Sequence, residues 1–312
     1  MKKYGFGVDI GGTTCKIGLF ETTGVLVEKW EIPTRKENSG ENVLPDVAVS
    51  IEKKMEEKKI GKEDLQGIGI GVPGPVTSQG VVQCCVNLGW GQVNVAEVME
   101  KRMGCKIKVG NDANVAALGE MWQGGGKGHR NVVMVTLGTG VGGGIIVDGK
   151  IVAGSHGAGG EIGHIMVDET ETETCGCGKR GCLEQYASST GVVRLAKRAL
   201  ASTQEETALK KFQHISAKNV FDEAKAGDKV AGEVVETMAN ILGTALAGIA
   251  CVVDPEVFVI GGGVSKAGSI VTDRVKKYYS EKTFHACKEA EFALAKLGND
   301  AGMYGCVQMI LE

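Results

Sequence analysis

Two stretches of this chain repeat one uncommon pattern, and the repeat limits the fold more than any other feature. The first reads Tyr4-Gly-Phe-Gly-Val-Asp9-Ile, then Gly11-Gly12-Thr13-Thr14, Cys15-Lys-Ile-Gly-Leu-Phe20, a Thr23-Gly24 turn and Val25-Leu-Val-Glu-Lys-Trp-Glu-Ile32. The second reads as an apolar run over residues 132–137, then Gly138-Thr139-Gly140-Val-Gly-Gly-Gly144, Ile145-Ile-Val, an Asp148-Gly149 turn and Lys150-Ile-Val152. Each is strand, glycine turn, strand, tight turn, strand. An antiparallel meander whose first turn is rich in glycine leaves backbone N–H groups exposed there. Two such meanders imply two similar domains facing each other across a cleft.

The rest of the chain alternates helix-patterned and strand-patterned segments, which places it in the α/β class. Helices are expected over residues 41–59, 93–103, 113–122, 187–200, 231–250, 270–279 and 302–311, and strands over 67–74, 106–109 and 257–260. The polar stretch 202–211 reads as a surface loop. The glycine-rich segment Gly124-Gly-Gly-Lys-Gly128 marks the expected boundary between domains 1–123 and 124–312, with the last helix packing back on the first domain. Glycine supplies 48 of the 312 residues, about twice its usual ~7% share, and it clusters between strands where backbone approaches a ligand closely.

A net charge of −3, with 35 basic against 38 acidic residues, marks no nucleic-acid or acidic-membrane surface. The N-terminus passes straight into the first strand with no apolar leader, so a cytoplasmic protein is expected. The longest apolar run, residues 249–253, is far short of a membrane span.

The glycine turns themselves discriminate between ligand classes. Gly138-x-Gly140-x-x-Gly143 and Gly69-x-Gly71-x-x-Gly74 match the dinucleotide fingerprint, but neither is followed by the helix that fingerprint needs. No P-loop or protein-kinase motif occurs. What remains is a two-sided phosphate cradle, with Thr13, Thr14 and Thr139 as hydroxyl donors. Phosphoryl transfer to an alcohol then needs a base and Mg²⁺. Asp112, between a strand and an Ala-rich helix, is the candidate base; the alternative is that it only caps that helix. Asp9, ending the first strand, is the carboxylate to place near Mg²⁺, or else an Asx-turn residue.

A second cluster points to zinc. Glu161-Ile-Gly-His164 is followed by Cys175-Gly-Cys177-Gly-Lys-Arg-Gly-Cys182-Leu-Glu184. One imidazole and three thiolates fill a tetrahedral sphere, which suits a structural Zn²⁺ with no open position. Glu161 and Glu184 bracket the set. The acidic, Thr-rich segment inside it is not expected to bury itself.

Taken in order, Asp9-Ile-Gly-Gly-Thr13, Val-Pro73-Gly74-Pro, Asn111-Asp112-Ala-Asn114, Leu137-Gly-Thr-Gly-Val-Gly-Gly-Gly144, Glu161-Ile-Gly-His164 and the cysteine segment resemble the ROK family of sugar kinases and repressors, especially its bacterial glucokinases. The resemblance implies a hexokinase-type fold of two actin-like, ribonuclease H-like α/β domains with an interdomain cleft. It implies phosphorylation of a hexose at the 6-hydroxyl by ATP. Carried over by motif, Asp112 is the general base. Gly74, Asn111, Asp112, Glu161, His164 and Glu184 bind sugar, His164 offering one ring nitrogen to zinc and the other to substrate. Asp9, Gly11, Gly12, Thr13, Thr139 and Gly140 serve phosphate, and Gly262, Gly263 and Val264 lie near the adenosine. The implied cofactors are ATP, Mg²⁺ and structural Zn²⁺. The implied partners are hexose and ATP, with no nucleic acid or membrane, in a homodimer or higher homo-oligomer. D-Glucose is the expected acceptor, and N-acetylmannosamine or another hexose is the alternative. A sugar-responsive regulator is a further alternative, but the first strand begins at Tyr4 and leaves no room for a DNA-binding domain before it.

Overall fold

The computed structural model describes residues 2–311. Both meanders form, as β1 (Tyr4–Ile10), β2 (Thr14–Glu21) and β3 (Leu26–Pro33), and as β6 (Val132–Leu137), β7 (Val141–Val147) and β8 (Lys150–Ile151). Each meander opens one five-stranded sheet. The first sheet adds β4 (Leu65–Val72) and β5 (Ile107–Asn111) in the order β3-β2-β1-β4-β5. The second adds β9 (Val257–Gly261) and β10 (Glu291–Leu294) in the order β8-β7-β6-β9-β10. The two orders are the same. β1, β4 and β5 are parallel neighbours, as are β6, β9 and β10, while β1–β2, β2–β3 and β7–β8 are antiparallel.

The strand sequences explain these positions. β4 and β9 are almost wholly buried, as apolar runs covered on both faces are. β3 alternates half-buried and exposed residues, the pattern of an edge strand with one covered face. The helices that cover the sheets are α1 (Val43–Lys58), α2 (Val95–Met103), α3 (Asp112–Gln123), α4 (Ser189–Ser202), α5 (Ala217–Lys225), α6 (Lys229–Val253), α7 (Ser269–Lys282) and α8 (Ala301–Leu311). In α1 the buried residues Val43, Leu44, Val47, Ala48 and Ile51 make one stripe, and Lys59 ends the helix in a left-handed conformation.

Several expected boundaries move, each for a local reason. α2 begins at Val95 and not at Val93, because the Asn94 side chain accepts from Glu97 N and caps it, while Val93 pairs with Val82 in a short hairpin. α5 was not expected at all; Ser216 and Asn219 form a reciprocal capping box at its start. The stretch 202–211 is not a plain surface loop, because Ala208–Lys211 is a 3₁₀ turn whose Leu209 is fully buried. Helix α6 is long and apolar enough, by length and composition alone, to cross a membrane. It is instead largely buried here, packed by α4, α5 and α7.

The chain forms two compact units. One holds everything up to Arg130, Gly144–Gly160 and the chain from Lys296 onward; the other holds Asn131–Gly143 and Glu161–Ala295. The division is therefore not a single cut near residue 123, since the chain returns twice to the first unit. Its second return ends in α8, which packs on β1, β4 and α3 at backbone distance. A Cβ at Gly69 would fall 1.8 Å from Cys306 O, one at Gly119 2.1 Å from Ala301 O, and one at Gly305 1.6 Å from Val115 O. In an ordinary helix interior Gly→Ala stabilises by up to ~1 kcal/mol. Here the sign should reverse. Gly305→Ala is expected to destabilise by about 2 kcal/mol or more through overpacking, read as a lower urea midpoint, and a raised midpoint would refute this packing.

Candidate active site

In the first unit the site residues sit at the carboxyl ends of parallel strands. Asp9 of β1 pairs in register with Gly71 of β4, and Val72 pairs with Asn111 at the end of β5. Asn111 organises this edge. Its Oδ1 accepts from Ala113 N at 3.0 Å and Asn114 N at 3.2 Å, and its Nδ2 donates to Gly74 O at 3.2 Å and Asp112 Oδ1 at 3.0 Å. Asn111, not Asp112, is therefore the N-cap of α3. Asp112 is the first helical residue, where its Oδ1 accepts from Ala113 N at 2.8 Å. Gly74 has φ +102, and a Cβ there would lie 2.5 Å from Cys84 O, so this loop position takes only glycine without strain. Gly74, Asn111 and Asp112 are thus brought together.

Gly11, Gly12 and Thr13 form the turn between β1 and β2, closed by Gly11 N donating to Thr14 O at 3.0 Å. Asp9 lies just before it, partly buried, and Gly302 of α8 leaves it room: a Cβ at that glycine would fall 2.8 Å from Asp9 Cγ. Sequence reasoning missed Gly302, which carries no motif. Desolvation pushes the Asp9 carboxyl up from 3.8 to about 6, with Lys16 opposing and Asp112 reinforcing the shift. A carboxylate that disfavours its own charge in this way suits a divalent cation as partner.

In the second unit, the turn Gly138–Gly140 is held from below by α4. Gly138 N donates to Gly140 O at 3.0 Å, Ser189 N donates to Gly138 O at 2.8 Å, and Thr190 Oγ1 donates to Thr139 O at 2.8 Å. Gly262, with φ +83, lies against the end of β6, where a Cβ would fall 2.6 Å from Leu137 O. From this turn a groove of about 370 Å³ past Thr139, Gly140, Thr190 and Arg194 adjoins a larger one of about 1040 Å³. The larger groove runs between α4 and α5 and reaches Gly263 and Val264. Its walls include Val193, Lys197, Ala217, Lys218, Phe221 and Lys266. None of these was legible as a site residue, because they come from two helix faces that the sequence does not link.

The four expected metal ligands converge. One ligand atom from each of His164, Cys175, Cys177 and Cys182 lies within 4.8 Å of all the others. Cys177 Sγ is 3.6 Å from Cys182 Sγ, and Cys175 Sγ is 3.9 Å from His164 Nδ1. A tetrahedral ion with Zn–S bonds near 2.3 Å sets its ligands about 3.8 Å apart, so the donor set fits zinc. Burial pushes the Cys175 thiol up to about 12 and raises that of Cys182, so the thiolates these positions would carry call for a cation. Glu184 joins the cluster. Its Oε1 accepts from Cys175 Sγ at 2.9 Å and lies 3.8 Å from His164 Nδ1, and a Cβ on Gly140 would fall 2.6 Å from its Oε2. Glu161 is exposed at the start of the Ile162–His164 turn. The acidic segment departs from expectation, because Glu171 is only 6% exposed.

Two predictions follow from this chemistry. Elemental analysis should find close to one zinc per chain, and Cys177→Ser should lose it; wild-type protein purified without zinc that still binds none on titration would count against the clip. For Asp9, the raised pKa means that the folded state binds the proton more tightly than the unfolded chain. Its penalty is absent below about pH 3.8, grows as pH rises, and is complete above about 6. Asp9→Asn should therefore raise stability at pH 8, by about 3 kcal/mol at most, and leave it unchanged at pH 3.5. Melting curves at the two pH values read the difference.

The sequence matches the ROK family over residues 5–312. It is 43% identical over 304 residues to a glucokinase of Halalkalibacterium halodurans, covering 96% of this chain and 92% of that protein. It is 36% identical over 315 residues to a glucokinase of Streptomyces coelicolor, covering 98% and 97%. The fold superposes with a TM-score of 0.73 on the crystal structure of a ROK family glucokinase from Streptomyces griseus in complex with glucose and AMPPNP, at 33% identity and 98% coverage of both chains. With its paired α/β sheets of one strand order, its glycine turns and its Cys₃His cluster, the chain belongs to the ROK family and has that family's hexokinase-type fold of two actin-like domains.

Proposed function

We infer that this chain is an ATP-dependent hexose kinase that phosphorylates D-glucose at the 6-hydroxyl. The observation that carries the reading is its near full-length similarity to glucokinases, one of them crystallised with glucose and an ATP analogue. The local geometry supports it. Asn111 caps α3, and the Asp112 carboxylate at the helix's first position accepts from Ala113 N and from Asn111 Nδ2 on Oδ1, a setting that suits an anion. It accepts the 6-hydroxyl proton as the oxygen attacks the γ-phosphorus, and the ADP oxygen leaves with the bond electrons. Asn111 and the Gly74 loop hold the neighbouring hydroxyls, and Glu161, His164 and Glu184 hold the anomeric end. The turns at Gly11–Thr13 and Thr139–Gly140 offer N–H and hydroxyl donors to phosphate, and the groove ending at Gly263 and Val264 takes the adenosine. Asp9 would hold Mg²⁺, which would supply charge neutralisation at the phosphates, and Cys175, Cys177, Cys182 and His164 would hold a zinc ion that orients the His164 ring. The proposal includes a cytoplasmic homo-oligomer, in keeping with ten unpaired cysteines.

A panel of hexoses with ATP and Mg²⁺ tests the substrate. kcat/KM for glucose should exceed that for N-acetylmannosamine by about tenfold or more, and the reverse order would move the assignment to the second sugar. Asp112→Asn tests the base. It should lower kcat by ~10²–10⁴-fold with little change in melting temperature. Asp112→Ala should be equally inactive and cost about 0.3–1 kcal/mol of stability, since it loses an anion at the helix start while the cap itself belongs to Asn111. An Asn variant that keeps more than about a tenth of wild-type kcat would place the base elsewhere.

A further inference from the structure

Glu171 is the one carboxylate of the acidic segment that the fold buries, and none of the chemistry above uses it. Its side chain takes partners from three directions. Arg198 of α4 donates to both oxygens, at 3.1 Å to Oε2 and 2.9 Å to Oε1. Tyr186 OH donates to Oε2 at 2.6 Å, and the backbone N–H of Glu173 donates to Oε1 at 2.9 Å. Arg194, one turn before Arg198, meets Oε2 at 2.8 Å as an ion pair, and its guanidinium lies over the Tyr186 ring, 4.9 Å from the centroid. The Tyr186 hydroxyl also stands 2.6 Å from Asp168 Oδ2, at the start of the same segment. Hydrogen bonding from Arg198 holds the Glu171 carboxyl far below the usual carboxylate range.

These partners connect two parts of the site. Arg194 and Arg198 lie on the face of α4 that lines the large groove, and Thr190 and Arg194 also line the smaller one beside Thr139. Glu171 lies four residues before Cys175, in the loop that returns to His164 through Cys177 and Cys182. A buried carboxylate facing two guanidinium groups is costly to break from one side, above all for the largely buried Arg194, although exposed Glu173 also meets Arg194 at 3.5 Å and Arg198 at 2.6 Å. The loop can supply this anion only while it is folded; the bridges Met166–Cys182 and Thr174–Arg180 shape it, and a metal held by the Cys₃His set would fix it further.

We propose that Glu171 is a positioning residue that couples the metal loop to the donor groove, locking the groove-lining face of α4 to the segment that carries Cys175, Cys177 and Cys182. The proposal rests on the reading of that groove as the nucleotide site. It makes the zinc clip serve both substrates: directly the sugar, through His164, and indirectly the nucleotide, through Glu171 and the two arginines.

Calorimetric titration of the zinc-loaded protein with a non-hydrolysable ATP analogue tests it. Glu171→Gln should keep one zinc equivalent and a hexose KM within about twofold of wild type, while the analogue's Kd rises about tenfold. Stripping zinc from wild type with a chelator should weaken the analogue by a similar factor, and stripping the variant should add less than about twofold, because the connection is already cut. Unchanged analogue binding in Glu171→Gln, or two losses that multiply in full, overturns the coupling. Failure of the wild-type protein to bind the analogue overturns the donor-site reading and the coupling with it. Should Glu171→Gln fail to fold, Tyr186→Phe carries the test, since it removes one donor to Glu171 and keeps the ring beneath Arg194. A threefold or so weakening of the analogue with zinc retained is then expected, and no change overturns the proposal.

Discussion

Backbone-to-backbone packing of α8 is the constraint on which the first unit depends. Glycines at 5, 7 and 69 in the strands, 119 in α3 and 302 and 305 in α8 remove the side chains that would hold these elements apart. The helix therefore sits on the sheet at a distance only main-chain contact allows. Cys306, wholly buried, donates through its Sγ to Val8 O at 3.2 Å inside that contact. One consequence is chemical. With no Cβ on Gly302, the Asp9 side chain has room at the end of β1, yet α8 shields it from solvent and raises the cost of its charge. The packing that stabilises the unit thus also leaves Asp9 with a carboxyl whose charge is disfavoured.

The charges in this protein are not spread evenly between structure and function. Surface pairs such as Lys101–Glu97 and Lys218–Asp222 are i,i+4 helix contacts that add little. Buried or partly buried ionisable groups lie elsewhere: Asp9 in the first unit, and in the second the thiols of Cys175 and Cys182 and Glu171 with its two arginines. Burial makes the charged forms of Asp9 and the two thiols costly as they stand, whereas Glu171 already has the partners that favour its charge, in Arg194, Arg198 and Tyr186. Stability is given up where binding needs it, the pattern expected of a functional site.

The Cys₃His cluster was readable because its side chains lie in short motifs. A Cys-x-Cys-x₄-Cys segment after a histidine has few other uses, and its four side chains converge as the spacing required. The twin meanders were readable because strand, glycine turn and strand are local patterns, and both sheets take the same strand order from them. The choice between base and cap for Asp112 was not readable. Asn111 and Asp112 are equally good caps by type; the fold gives the cap to Asn111, whose Oδ1 accepts from Ala113 N and Asn114 N while its Nδ2 reaches Gly74 O, and a base role for Asp112 remains a proposal. The large groove was not readable either, since α4 and α5 carry ordinary amphipathic patterns and α5 lacks a strong apolar run.

What the sequence determined by itself is therefore what rests on neighbours within a few residues: the glycine turns, the metal ligand set, the α/β alternation and the family motifs. The tertiary structure decided what depends on contacts far apart along the chain. It returned α8 to the first unit, so that Gly302 and Asp9 meet across nearly the whole chain. It also buried Glu171 in a segment whose composition argues for exposure, because two arginines on a helix more than twenty residues later supply the opposing charge. Local sequence carries no record of such partners; the free energy that selects them comes from desolvation and ion pairing, which exist only once the chain has folded.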